Sequence, residues 1–183
     1  MTLTRAEAQD TLRAISHTEH RSSAAYGYQM SAPHLILWGV IWVIGYGFSY
    51  WQPERSQIWL ALVAGGVLGS MIIGRRMRPP AAGSRDWRYL ATVAALAIFI
   101  TVLFVILTPR GPRGAGAFFP VLAAFYYSLI GIWTRGSRMT VLGVALVVLT
   151  LSGFVFPPQF FTLWMAIVGG GGLILGGLWL RSV

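Results

Sequence analysis

A chain of 183 residues in which 56% are hydrophobic and only 10% are charged has too little polar surface for a soluble domain of that size. The absence of cysteine excludes disulfides and thiolate metal sites. The basic side chains behind the net charge of +9 are all arginine. Because they flank apolar runs, we expect the lipid bilayer as a partner and no nucleic acid.

Residues 1–32 form a polar segment that lacks the apolar core of a signal peptide. Thr4 and Glu7 fit a capping box and predict a short amphipathic helix in the cytosol or at the membrane surface. Its apolar face consists of Ala8, Leu12 and Ile15. We expect residues 1–25 to meet a cytosolic partner. A non-helical link is predicted at Gly27 and Pro33.

Residues 33–183 contain six apolar stretches, which we predict to be transmembrane helices. They cover residues 35–50, 58–74, 89–107, 118–133, 139–156 and 160–180. Their lengths are close to the roughly 20 helical residues that a bilayer core requires. A backbone in lipid must satisfy its own hydrogen bonds, which favours helices. The predicted fold is an all-α integral membrane protein whose six transmembrane helices form three helical hairpins after the short N-terminal helix.

Arginine is concentrated at the two ends of the chain and in every second connection between these stretches. Eleven of the fourteen lie before the first stretch, between the second and third, between the fourth and fifth, or after the sixth. The positive-inside rule therefore places both termini in the cytoplasm, and we expect a bacterial inner membrane. Five residues at the cytoplasmic boundary are predicted interfacial anchors: His34, Trp133, Arg135, Trp179 and Arg181.

Two pairs of segments resemble each other. LIGIWTR at 129–135 aligns with LGGLWLR at 175–181, and residues 92–109 align with 140–157. The paired Gly-x-Trp-x-Arg ends favour two copies of one hairpin, made of stretches three–four and five–six. Stretches one and two give a weaker third copy. Chance similarity among Leu, Val and Gly is the alternative explanation.

Small residues line one face of two stretches. They are Ala61, Gly65 and Gly69 in the second stretch, and Gly169, Gly170, Gly172, Gly176 and Gly177 in the sixth. Helices in lipid associate where small residues let their backbones approach. We therefore expect these faces to pack on another helix, either in the same chain, in a second copy or in a membrane-protein partner. A glycine-lined groove or a gate is the alternative.

Catalytic, cofactor and metal sites are not predicted, because the interiors of the stretches contain no Asp, Glu, Lys, Arg or His and the three histidines lie at or before the first stretch. Aromatic and hydroxyl groups offer a different candidate, the wall of a cavity for a small neutral solute or a lipid-like ligand. Its lining would consist of Trp42, Tyr46, Tyr126, Tyr127 and Ser128. Ordinary packing between helices explains the same residues.

These features favour a non-enzymatic multi-pass membrane protein that acts as a structural, regulatory or sensor subunit with a membrane or cytosolic partner. The glycine faces and the lack of charge within the stretches are the basis of this expectation. A passive channel or carrier for a small neutral solute is the alternative function. An intramembrane enzyme ranks last, because no catalytic group is evident.

Overall fold

The computed structural model describes residues 5–77, 97–98, 100–104, 111–133 and 136–182, with the backbone alone for 5–21, 23–24 and 112. All regular secondary structure in these ranges is helical. The main helices are α1 (Arg5–Trp51), α2 (Ile58–Arg76), α3 (Gly111–Trp133), α4 (Ser137–Ser152) and α5 (Pro158–Arg181). Within α5, Met165–Gly170 is π-helical. Residues 97–98 and 100–104 are helical as well.

Four helical segments are long and apolar enough to cross a membrane: Ala25–Trp51 of α1, α2, Arg113–Trp133 of α3, and α5. The expectation of an all-helical chain with membrane-length helices is thus confirmed for the described ranges. Helix α4, with 16 residues, is shorter, about 24 Å at 1.5 Å per residue. Most of the predicted stretch 89–107 lies outside the described residues.

Neighbouring helices run antiparallel and define two ends of the bundle. Gly45 of α1 lies against Trp59 near the start of α2, whereas Leu37 lies against Gly69 near its end. Helices α3 and α4 are antiparallel by the same criterion, and so are α1 and α5. One end, here the arginine end, carries Arg75, Arg76, Arg138 and Arg181. The other, the aromatic end, carries Tyr50, Trp51, Phe154 and Phe156.

Helix α1 is continuous for 47 residues, so the predicted link at Gly27 and Pro33 is wrong. Proline removes one backbone hydrogen bond from a helix and crowds the preceding turn. Packing compensates here, because Ala32 is fully buried and its carbonyl lies close to Gly177 of α5. About 30 Å of helix, residues 5–24, therefore continues α1 beyond its apolar segment.

The core lies between α1, α4 and α5. Helix α5 occupies the groove between α1 and α4, while α3 packs mainly on α4 and α2 packs mainly on α1. Six hydrophobic side chains of this core are almost fully buried: Leu35, Ala32, Ala124, Phe161, Met165 and Leu180. Helix α2 is mostly exposed, with only 6% of its apolar window buried. Helix α5 is at the centre of the bundle, which explains why many residues on its surface must be small.

Candidate functional site

The glycine-rich part of α5 lies directly on α1. A methyl group added at Gly170 would be 2.8 Å from the Val43 nitrogen and 2.9 Å from the Gly39 carbonyl oxygen. A methyl group at Gly177 would be 2.9 Å from the Ala32 carbonyl oxygen. Such approach between two backbones is possible only without side chains. Gly39 completes this contact from the side of α1, although it is not part of either predicted glycine face.

Other glycines of α5 face different neighbours. The Cβ position of Gly176 lies 2.5 Å from Leu142 of α4, and that of Gly172 lies 3.6 Å from Leu149 of the same helix. Gly169 faces Met165 of its own helix and Trp42 of α1. The glycines thus serve two partner helices rather than one, which accounts for the breadth of the glycine-lined arc.

The small residues of α2 are only partly in contact. Gly69 lies against Leu37, but Ala61 is exposed, and the Cβ position of Gly65 has no described atom within 4 Å. Gly66, one residue further along, is the buried one and lies against Trp38 and Ile41. Of the predicted ladder from Ala61 to Gly69, only Gly69 therefore contacts α1, and packing of the ladder on a second copy or a membrane partner stays a prediction.

A further small-residue interface joins α3 to α4. A methyl group at Gly131 would overlap Thr140, and one at Gly143 would overlap Ser128 and the Ala124 carbonyl. Ser128, a predicted cavity residue, thus lies in a tight helix contact and donates its hydroxyl to the Ala124 carbonyl at 2.9 Å. Ala124-xxx-Ser128 is a small-xxx-small pattern, so the sequence held a signal for this interface.

Trp42 and Tyr46 belong to a packed aromatic cluster near the aromatic end. Their ring centroids lie 6.0 Å apart, and Tyr46 also meets Trp59 of α2 at 4.9 Å. The Tyr46 hydroxyl donates to the Gly116 carbonyl of α3 at 2.5 Å. The side chains of Trp42 and Tyr46 are each about 5% exposed. The hydroxyl is therefore satisfied by a neighbouring helix, and the rings fill the space between α1, α2 and α3.

Tyr126 and Tyr127 do not join this cluster. They lie ten residues beyond Gly116 on α3, about 15 Å further along the helix axis. Tyr126 is 52% exposed, and Tyr127 packs against the core. Thr150, considered as a partner for a buried tyrosine, instead donates to its own helix at the Leu146 carbonyl, 2.7 Å away. The five predicted cavity residues are thus not brought together.

A polar cluster links three helices at the arginine end, and we name it the arginine-end cluster. It consists of Tyr28 of α1, Arg138 of α4, and Trp179 and Ser182 at the end of α5. Arg138 Nη1 donates to the Trp179 carbonyl at 2.9 Å and to Ser182 Oγ at 3.4 Å, and its guanidinium lies over the Trp179 ring at 5.0 Å. A cation is favourable there because a helix C-terminus is negative.

Tyr28 completes the cluster from the first helix. Its hydroxyl accepts the backbone N–H of Arg138 at 3.3 Å, in the first turn of α4, where Gly136 offers no side-chain cap. The contact spans 110 residues of sequence. No local motif could have indicated it, because the cap comes from another helix. Tyr28 therefore joins α1 to the first turn of α4 a few residues after the polar segment 5–24.

Arg113 forms the corresponding contact at the aromatic end. Its Nη2 donates to the Phe154 and Phe156 carbonyls at 2.7 and 2.6 Å, and the guanidinium lies 5.0 Å from the Phe154 ring centroid. These carbonyls belong to the turn after α4, whose last backbone acceptors lack partners within the helix. At each end of the bundle, an arginine in the first turn of one helix thus donates hydrogen bonds to backbone carbonyl oxygen where the next helix along the chain ends.

The predicted interfacial anchors have different surroundings. Trp133 is 81% exposed, and Trp179, 41% exposed, carries the Arg138 guanidinium. Arg181 is exposed, and Arg135 lies outside the described residues. His34 is half-buried and its Nδ1 lies 3.0 Å from the Met30 carbonyl. Because a carbonyl only accepts, that nitrogen carries a proton.

The described residues contain no group of three or more His, Asp or Glu side chains that could hold a metal ion. Comparison of the chain with protein-family models, with curated proteins and with solved structures gives no match. The geometry of the bundle is therefore the only guide to what this protein does. Its distinctive features are the close α1–α5 contact and the arginine-end cluster, which lies next to the polar segment of α1.

Proposed function

We propose that this chain is a non-enzymatic, six-span subunit of a bacterial inner membrane, with both termini in the cytoplasm. In this role it is structural, regulatory or sensory, and residues 5–24 of α1 engage a cytosolic or membrane partner. The continuity of α1 carries the proposal. One helix leads from the buried contact with α5 to a polar segment about 30 Å long. Binding at that segment would act directly on the core helix.

The ends of the described helices support the proposal of six crossings in lipid. Helix α2 ends at Arg76, at the arginine end, whereas α3 begins at Gly111, at the aromatic end. The connection between them must therefore pass from one end to the other. Phe104, in its helical part, stacks on Phe119 of α3 with ring centroids 5.4 Å apart. With this crossing, α1 to α5 make up six.

Cysteine labelling tests the orientation, because the natural chain has no cysteine. Ser56→Cys introduces a thiol in the exposed turn at the aromatic end, and Ser137→Cys introduces one at the arginine end. We expect a membrane-impermeant maleimide to label Ser56→Cys in intact cells and Ser137→Cys only after permeabilisation. Labelling of both variants from outside, or the reverse pattern, would contradict the proposed topology.

Purification from native membranes in a mild detergent tests the subunit role. We expect a partner to co-purify with the full chain and to be lost when residues 1–24 are deleted. The deletion leaves the apolar segment Ala25–Trp51 and the arginine-end cluster intact. Unchanged thermal unfolding of the deleted chain is the control for folding. Recovery of the same partner with both chains would contradict a role for the N-terminal part of α1.

The alternative, a passive channel or carrier for a small neutral solute or lipid-like ligand, has less support. Its expected lining is divided between a packed cluster around Tyr46 and an exposed position at Tyr126. Ser128 lies in a helix contact instead of facing a shared space. Uptake of a neutral solute into liposomes containing the purified protein, lost in Tyr127→Phe, would favour the carrier over the subunit.

A further inference from the structure

The Arg138 guanidinium is held in place by one of its two outer nitrogens. Nη1 donates to the Trp179 carbonyl and to Ser182 Oγ, and the Trp179 ring lies against one face of the group. The described residues provide no partner for Nε and Nη2. This edge of a guanidinium presents two parallel N–H donors, one from Nε and one from Nη2, and their geometry matches two oxygens of a phosphate. The side chain is therefore oriented before any ligand arrives.

The surroundings of Arg138 favour an anion with an apolar part. Arg181 follows Trp179 by two residues, and within the described ranges neither arginine has an acidic partner. Trp179 and Trp133, at the same end of the bundle, are 41% and 81% exposed. Exposed tryptophan beside arginine is typical of the level where lipid headgroups meet acyl chains. A soluble anion would use the arginines but not the indole rings.

We propose that the arginine-end cluster binds the phosphate of an anionic phospholipid in the inner leaflet. The phosphate lies on the Nε–Nη2 edge of Arg138, Arg181 adds a second positive charge, and the acyl chains lie along Trp179. This rests on the proposed orientation, which places the arginine end at the cytoplasmic surface, where anionic lipids are attracted to basic residues. The net negative headgroup distinguishes this lipid from a zwitterionic one with the same phosphate.

Thermal unfolding of the purified full chain in detergent measures this binding. Short-chain phosphatidylglycerol, short-chain phosphatidylcholine and inorganic phosphate are titrated separately. We expect phosphatidylglycerol to raise the unfolding temperature in a saturable way and the other two to have little effect at the same concentrations. Arg138→Lys keeps the charge but removes the two-pronged donor edge, and should weaken phosphatidylglycerol binding on the order of tenfold.

Two further variants separate binding from folding. Arg181→Gln removes an exposed charge and should also weaken binding, by about threefold to tenfold, even where Arg138→Lys lowers the starting stability. Arg75→Gln removes an exposed charge at the same end on α2, away from the cluster, and should leave the affinity within about twofold. Loss of affinity in Arg181→Gln but not in Arg75→Gln supports the site.

Three results would overturn the proposal: equal stabilisation by phosphatidylcholine, equal weakening by Arg75→Gln, or the same stabilisation by inorganic phosphate, which would indicate a soluble anion. Maleimide labelling separates this proposal from the proposed function. The expected labelling pattern without a preference for phosphatidylglycerol would overturn the lipid site alone. A reversed pattern would overturn the orientation, and with it the assignment to the inner leaflet.

Discussion

Gly170→Ala tests the central contact of the bundle. The added methyl group would lie 2.8 Å from the Val43 nitrogen and 2.9 Å from the Gly39 carbonyl oxygen. Both are backbone atoms, so the strain cannot be relieved by turning a side chain, and α5 must move away from α1. Overpacking of this kind costs about 1–3 kcal/mol. We expect Gly170→Ala to lower the free energy of unfolding by about 2 kcal/mol, which is a large fraction of a typical total.

Gly171→Ala is the matched control, because it makes the same chemical change one residue away. No described atom lies within 4 Å of its Cβ position. Alanine there removes only the entropic disadvantage of glycine, so the effect should range from neutral to about 1 kcal/mol stabilising. SDS titration of each variant in mixed micelles, followed by far-UV circular dichroism, measures the difference. Equal unfolding midpoints, or a lower midpoint for Gly171→Ala, would refute the argument from backbone contact.

Three further substitutions test the polar contacts by the same titration. Tyr46→Phe removes the hydrogen bond to the Gly116 carbonyl and should cost about 1 kcal/mol, whereas Tyr26→Phe, at a 52% exposed position, should be neutral; equal effects would contradict the role of that bond. Tyr28→Phe leaves the Arg138 N–H without its cap, and amide hydrogen exchange should become faster in the first turn of α4 but stay constant in α2. Arg113→Gln removes two hydrogen bonds to the turn after α4 and should cost about 1–3 kcal/mol, with faster amide exchange at residues 153–156; unchanged protection there would count against the contact.

The helical character of the chain was accessible from the sequence, since long apolar runs leave the backbone few other ways to satisfy its hydrogen bonds. Both ends of α2 and the C-terminal end of α5 lie within two residues of the predicted positions. The continuity of α1 was not accessible. Pro33 is a local signal for a break, but the burial of Ala32 against α5 is a tertiary effect that no local rule includes.

The contacts of individual glycines depended on where each partner helix lies. A periodic pattern finds a face of small residues but does not give its partner, so the series with Ala61 and Gly69 favoured Gly65 over Gly66 on α2. Only the ring of Trp38 and the side chain of Ile41, which fill the space beside Gly66, decide between them. The arginine-end cluster was inaccessible for the same reason, because Tyr28 and Arg138 meet only through the packing of α1 against the rest of the bundle.

The π-helical segment changes which residues of α5 lie on its buried side. Met165 and Gly170 are both buried, yet in an α-helix five residues would place them about 140° apart. A π-helix bonds residue i to i+5, so the same five residues close approximately one turn and return the chain to the same face. From Gly170 to Gly177 the spacing of seven residues is that of two α-helical turns, and both lie on α1. The extra residue in the π segment thus lets Met165 and Gly170 turn to the same buried side of α5.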